Sequence, residues 1–339
     1  MHDLPELETP PSGLARARQR LSNSPRLVTL LKVGFTVATL AIVLRSVDLP
    51  AAWRYASEQS DWFLLLAAAF LIFQIVCGAI RWHLILRCLN AAMPILETIR
   101  IYYISVFFGT CMLASVGGDV ARIWLTYRNN IRVATATISV ILDRIAALAG
   151  VAIIVLAVTP FFMSVVGRDY GAAAMILPAL AAIGLLGIVV VAQLDRIPIG
   201  RWARFRLVNQ LAALGGATRQ VYLRPRTSIP VLALGVASQV GGSLAAFAIT
   251  RSLGLNVSAI DCVIIMQPVT LLATLPISIG GWGVREAAMV TFFGLIGVPS
   301  SAAVVVSIQL GLLAVVLSLP GGVLFLLQRS RAAKQAVEN

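Results

Sequence analysis

The chain has 339 residues, of which 59% are hydrophobic and 12% are charged. A soluble domain does not carry that composition, which indicates a polytopic helical membrane protein without a separate soluble catalytic domain. The net charge of +13 comes mainly from Arg residues between apolar runs. We therefore expect membrane lipids, and not nucleic acid, as the partners of those charges.

Six apolar runs are long enough to cross a bilayer. After an N-terminal tail, residues 1–26, they cover residues 27–44, 62–80, 133–163, 172–193, 229–250 and 301–327. Four Arg residues precede the first run, and Arg329, Arg331 and Lys334 follow the last one. The positive-inside rule therefore predicts cytoplasmic termini, including a tail at 331–339. We expect a bacterial inner-membrane protein with one transmembrane domain, residues 27–330.

The linker at residues 195–228 carries seven Arg against Asp195 alone, so we expect it in the cytoplasm. Within it, four apolar residues recur at helical spacing: Trp202, Phe205, Val208 and Leu211. This pattern fits a helix that lies on the inner leaflet. A solvated basic linker is the alternative interpretation.

Two glycine-containing stretches are copies of each other. Residues 115–122 read SVGGDVAR and residues 278–285 read SIGGWGVR, with Glu286 next. Paired glycine breaks in the two halves of a membrane protein are typical of a transporter binding site near the midplane. Glycine pairs also allow close helix packing without any site. Because each copy carries an Arg in register, we favour the binding-site interpretation.

Charge placement predicts that residues 97–127 form a re-entrant hairpin. Arg residues flank this segment on both sides, which puts its two ends on one side of the membrane. Half-helices of about 15 residues reach the midplane without crossing. By parity, residues 259–298 form a second hairpin. The order span, hairpin, span in 62–163 recurs in 229–327 with opposite orientation, which is an inverted repeat. The predicted fold class is all-α, with about six spans and two hairpins, or eight spans if the hairpins cross.

Ionisable residues lie close to both glycine breaks. Each charge in hydrocarbon costs at least ~2.5–3.5 kcal/mol, so these residues should pair or face a wet cavity. An Arg fork and the N–H groups at a half-helix N-terminus both bind phosphate. The alternatives are an internal salt-bridge network, or a carboxylate that takes up a proton. The candidate substrate-binding residues are Gly117, Gly118, Asp119, Arg122, Asp143, Arg144, Ser278, Gly280, Gly281, Arg285 and Glu286.

Other kinds of chemistry lack the residues they need. The chain has two histidines, His2 and His83, so a His-rich metal site or a Ser-His-Asp triad is nearly excluded. Its four cysteines show no CxxC spacing, and a GxxxxGK[ST] phosphate loop is missing. We expect no metal and no cofactor.

These motifs resemble the transmembrane-region family of lysylphosphatidylglycerol synthases. The matching features are Gly117-Gly118-Asp119 with Arg122, Asp143-Arg144, and residues 276–286, PISIGGWGVRE, within roughly residues 27–330. A Pro often precedes the first Gly pair in that family, whereas residues 113–115 here read LAS. The resemblance implies lipid translocation and not lipid synthesis, since a soluble aminoacyltransferase domain is missing. It also implies that polyprenyl-linked or hopanoid lipids are possible cargo.

We therefore predict a flippase that moves an anionic or isoprenoid-type lipid, whose phosphate is held by Arg122, Arg144 and Arg285. One rival is a membrane-embedded lipid-modifying transferase that uses Asp143 or Glu286 as a base. Another is a non-catalytic scaffold that binds lipid-synthesis enzymes through the 195–228 linker. The residues do not choose among lipids, directions of transport or oligomeric states.

Overall fold

The computed structural model describes residue 50 and residues 61–111, 117–166, 175–196, 206–274 and 281–338. Within these ranges the chain forms ten α-helices, one 3-10 turn at Leu194–Arg196, and no strand. In chain order the helices are α1 (Asp61–Cys88), α2 (Ile95–Cys111), α3 (Gly117–Arg128), α4 (Val133–Val166), α5 (Ile176–Val191), α6 (Arg206–Tyr222), α7 (Pro225–Ser252), α8 (Ala259–Thr274), α9 (Val284–Gly294) and α10 (Ser300–Glu338).

Five helical segments are long and apolar enough to cross a membrane, judged by length and composition. They are Asp61–Cys88, Val133–Pro160, Ile176–Arg196, Pro225–Ser252 and Ser300–Gln328. Each overlaps one of the predicted spans, and the remaining predicted span, residues 27–44, lies outside the described residues. The predicted all-α polytopic class is therefore confirmed.

One pattern of helix lengths occurs twice. The helices α1 to α4 have 28, 17, 12 and 34 residues. The helices α7 to α10 have 28, 16, 11 and 39 residues. Each half thus consists of a long helix, two short ones and another long one, in the predicted order. The turns of both hairpins, residues 112–116 and 275–280, lie outside the described residues. Re-entry and the inverted orientation relative to a membrane stay predictions.

Corresponding helices also end in the same way. In the first half, α1 and α3 are followed by Asn90 and Asn130, with φ of 54° and 61°. In the second half, α7 and α9 are followed by Gly254 and Gly297, with φ of 71° and 78°. Asn and Gly are the residues that tolerate this left-handed conformation at a helix end. After three of these helices, a backbone N–H closes the end by bonding a carbonyl five residues back, at Ala91, Leu255 and Val298.

The two halves pack against each other through their long helices. α1 lies along α7, α7 also contacts α4, and α10 contacts α2 of the other half. At the α4–α7 crossing, a Cβ on Gly150 would lie 2.6 Å from the carbonyl carbon of Gly235. The three largest of the buried apolar clusters lie in the second half, in the first half, and between α1, α4 and α7. Their members include Ile249, Met289 and Phe293; Trp82, Ile101 and Leu125; and Ile85, Leu142 and Val231, respectively.

Three elements differ from the prediction. Helix α1 continues past Ile80 to Cys88, so Arg81 is a buried helical residue and not part of a cytoplasmic loop. Helix α10 continues through Pro320 and past the predicted end of its span at residue 327, to Glu338. Helix α6 packs Ala217, Val221 and Tyr222 into the core, so the solvated-linker interpretation is wrong for residues 206–222. Of the four residues used to predict a surface helix, Trp202 and Phe205 lie outside the described residues, while Leu211 is exposed.

We expect Gly150→Ala to lower the thermal unfolding midpoint of the detergent-purified protein. The atoms opposite the new Cβ are backbone atoms of Gly235, which cannot move without separating α4 from α7. Overpacking of this kind costs about 1–3 kcal/mol. The matched control is Gly187→Ala in α5, where a Cβ would meet no atom within 4 Å. Equal midpoints for the two variants would show that the α4–α7 crossing is not tightly packed.

Candidate functional site

The carboxylate of Asp143 lies at the centre of a charged cluster between α1, α3 and α4. Its Oδ1 accepts a hydrogen bond from Arg81 Nε at 2.8 Å, and its Oδ2 accepts one from Arg122 Nη1 at 2.8 Å. The three side chains are at most 4% exposed. Asp143 therefore ties α4 to both α1 and α3.

Aromatic side chains surround this cluster. The Arg122 guanidinium lies 5.0 Å from the Trp82 ring centroid and 5.1 Å from that of Tyr102. Trp82 Nε1 donates to Ser139 Oγ at 3.1 Å, which links α1 to α4 next to the Arg81–Asp143 pair. Cations are attracted to aromatic faces, most strongly where water is excluded. Arg122 is thus held by two rings as well as by carboxylates.

The cluster extends outward through Asp119. Its Oδ1 accepts from Arg122 Nη2 at 3.1 Å and from Arg144 Nη2 at 3.0 Å, and Arg144 Nε donates to Oδ2 at 3.0 Å. The Arg144 side chain is 53% exposed, against 19% for Asp119. The result is a row of alternating charges: Arg81, Asp143, Arg122, Asp119 and Arg144.

Close approach of α2 and α3 brings Asp119 and Arg122 into this row. A Cβ on Gly118 would lie 2.4 Å from the carbonyl oxygen of Ser105 and 3.1 Å from the backbone N of Gly109. Gly118 is therefore the residue that allows the hairpin to pack backbone against backbone. Gly117, its neighbour, is the first residue of α3.

The row holds three positive and two negative charges, so one positive charge is not balanced within it. Burying charges is costly unless they are paired and hydrogen-bonded. Arg81 Nη1 and Arg122 Nε nevertheless make no hydrogen bond within the described residues. The excess charge can be offset most directly at Arg144, because its guanidinium is the exposed one.

The second glycine motif builds a smaller cluster between α9 and α10. Glu286 Oε1 accepts from Arg285 Nη2 at 2.8 Å and from Ser307 Oγ at 2.9 Å, and its Oε2 accepts from the backbone N–H of Gly283 at 2.5 Å. The Arg285 guanidinium lies 4.7 Å from the Trp282 ring centroid. Gly281 and Gly283 have φ of 81° and 86°, values that a residue with a side chain rarely adopts.

The structure brings the predicted residues together in two groups. Asp119, Arg122, Asp143 and Arg144 form one group, and Arg285 and Glu286 form the other. Among the described residues, no ion pair joins one group to the other. Ser278 and Gly280 lie outside the described residues. The described residues contain no group of three or more His, Cys, Asp or Glu side chains that could hold a metal ion.

Sequence reasoning missed four residues of these clusters: Arg81, Trp82, Tyr102 and Ser307. A signal for Arg81 exists, because apolar residues continue after it through Leu86 and so place a charge inside an apolar helix. Tyr102 and Ser307 carry no comparable signal, since only packing brings them to the Arg side chains.

The fold and these buried charges define a multi-pass helical membrane protein with polar clusters inside its helix bundle. The chain matches the family model of the lysylphosphatidylglycerol synthase TM region over residues 29–322. It therefore belongs to that family, as its motifs indicated, and is a lipid-related membrane protein. A search of curated proteins found no match.

We expect Asp143→Asn to destabilise the protein by about 3–5 kcal/mol, because it leaves two buried guanidinium groups without a counter-charge. Unfolding in denaturant, followed by the fluorescence of tryptophan residues such as Trp82, measures the change. The matched control is Glu97→Gln, which breaks the pair with Arg100, a pair about one-quarter exposed and worth at most about 1 kcal/mol. Similar losses for the two variants would contradict a central role for Asp143.

Proposed function

We propose that this protein is a lipid transporter that moves an anionic lipid between leaflets, with the headgroup phosphate bound at Arg144. The observation that carries the proposal is the row of alternating charges that ends in the half-exposed guanidinium of Arg144. The family relationship supports a role in lipid metabolism or transport. The chemistry of the row supports an anion as the bound group.

The depth of Arg144 supports a ligand role. Arg144 lies about 16 Å along the axis of α4 from Val133, which is about half the thickness of the hydrocarbon core. An exposed guanidinium at that depth is unfavourable unless it faces water or an anion. We propose that it lines a polar cavity that a headgroup enters laterally, next to the exposed residues Val120 and Trp124 of α3.

The arginines then have different tasks. Arg144 binds the phosphate, because its fork is accessible and only Asp119 opposes it. Arg122 is 4% exposed and bonded to two carboxylates, so in this conformation it orients Asp119 and contributes positive potential. Arg285 in the second hairpin offers a second phosphate contact, with a side chain that is 15% exposed.

The short helices support re-entrant hairpins. The helices α3 and α9, with 12 and 11 residues, are about 18 Å and 16 Å long, whereas the hydrocarbon core is about 30 Å thick. We propose that the two hairpins meet the membrane from opposite sides as an inverted repeat. Rocking of the halves would then expose the headgroup to each leaflet in turn.

The distribution of exposed Arg residues supports an orientation. Five exposed Arg residues lie at or next to the ends of α1, α3, α4 and α7: Arg87, Arg128, Arg132, Arg224 and Arg226. These ends lie together, because Trp82 bonds Ser139 and Gln220 donates to the carbonyl of Cys88. We propose that this basic end faces the cytoplasm at the inner membrane of a bacterium.

We expect Arg144→Gln to slow lipid transport at least about ten-fold, through loss of a charge-assisted hydrogen bond to the phosphate. The assay reconstitutes the protein in liposomes with phosphatidylglycerol that carries a fluorescent acyl chain, and measures the fraction that dithionite reaches over time. The unfolding midpoint should change little, because the Arg144 side chain is 53% exposed and Asp119 keeps its bond to Arg122.

Arg128→Gln is the matched control, since Arg128 is also exposed but stacks on Trp124 at 5.0 Å. Equal transport by the Arg144→Gln and wild-type proteins would overturn the phosphate-binding role.

Mass spectrometry of the lipids in the same liposomes tests whether the protein is instead a lipid-modifying transferase. A covalently altered lipid would identify a transferase in place of a transporter.

A further inference from the structure

We infer that Gly311 is a positioning residue for Arg285. Because Gly311 has no side chain, the Arg285 guanidinium can lie directly against α10 at this position. A Cβ built on Gly311 would lie 2.3 Å from Arg285 Nη2, and 3.0 Å from both Cζ and Nη1. All three atoms of closest approach belong to the guanidinium. The inference rests on the proposed function in one respect, namely that Arg285 contacts a lipid phosphate.

The guanidinium of Arg285 is fixed from several directions. The Trp282 ring is near it, with 4.7 Å from Cζ to the ring centroid, and the backbone of α10 at Gly311 is in contact with it. Its Nε donates to Ser307 Oγ at 3.0 Å, and its Nη2 donates to Glu286 Oε1 at 2.8 Å. Ser307 lies one helical turn before Gly311, so α10 provides both a hydrogen-bond acceptor and an adjacent open place.

A side chain at residue 311 would displace Arg285 and not the helices. The atoms within 3.0 Å of the added Cβ are at the far end of a long, flexible side chain, whereas at Gly150 and Gly118 they belong to backbone. Glu286 would keep its bonds to Gly283 and Ser307. We therefore expect Gly311→Ala to preserve the fold while it removes the guanidinium from its place.

The first half holds its motif arginine differently. Arg122 lies between two aromatic rings, whereas Arg285 has one ring and the bare backbone at Gly311. An aromatic pair can shift with its side chains, but a helix backbone cannot. Gly311 is thus part of the surroundings that hold Arg285 in the second half.

The test compares three variants with one control. The variants are Gly311→Ala, Arg285→Gln and the combination of the two. The control is Gly187→Ala, where an added Cβ meets no atom within 4 Å. The first readout is chemical: the rate at which phenylglyoxal modifies Arg285, followed by peptide mass spectrometry. We expect Gly311→Ala to raise that rate several-fold with an unchanged unfolding midpoint. An unchanged rate, equal to that of Gly187→Ala, would overturn the inference.

The second readout is the affinity for phosphatidylglycerol, from native mass spectrometry titrations. We expect Gly311→Ala and Arg285→Gln each to weaken binding about ten-fold or more, and the double variant to bind no worse than either. Additive losses would overturn the positioning role. If Gly311→Ala changes the modification rate but Arg285→Gln leaves binding intact, Gly311 positions Arg285 and the headgroup role of Arg285 is wrong.

Discussion

The first half of this protein depends on the two hydrogen bonds that the carboxylate of Asp143 accepts, one at each oxygen. One carboxylate, enclosed by protein, accepts from guanidinium groups on two other helices. In a membrane the hydrophobic effect does not drive helices together, so interhelical packing and hydrogen bonds determine their positions. Asp143 fixes α1, α3 and α4 to one another, and Gly118 sets the distance between α2 and α3. The exposed Arg144 follows Asp143 directly in α4, so its position is set by the same constraint.

Much of this arrangement is predictable from sequence, for physical reasons that also explain what was missed. Apolar runs predict spans because only a helix satisfies its backbone in lipid. The duplicated glycine motif predicts two hairpins, because a helix break deep in a membrane is tolerated only where it is packed in protein or lines a cavity. The predicted span ends at residue 80, before Arg81, since the positive-inside rule treats an Arg after an apolar run as a boundary marker. Its burial depends on a partner 62 residues away. Ser307 and Gly311 become informative only once α10 is placed beside α9.

The two halves share their helix order but differ in electrostatics. In the first half, charges come from three helices and leave one positive charge in excess, at Arg144. In the second half, the acid is next to the arginine in sequence, and the Arg285–Glu286 pair is neutral. A neutral pair attracts an anion more weakly than the first cluster, whose excess positive charge lies at the half-exposed Arg144.

Helix α10 contacts the surroundings of both charged clusters. Its first part carries Ser307 and Gly311 beside Arg285. Further along, Pro320 lacks an N–H and so removes a hydrogen bond within the helix. Nearby, Tyr103 of α2 donates to the carbonyl of Leu317 at 2.5 Å, and its neighbour Tyr102 contacts Arg122. Helix α10 thus contacts Arg285 near its start and the helix that carries Tyr102 further along. Pro320 is the position where α10 can bend with the smallest loss of backbone hydrogen bonds.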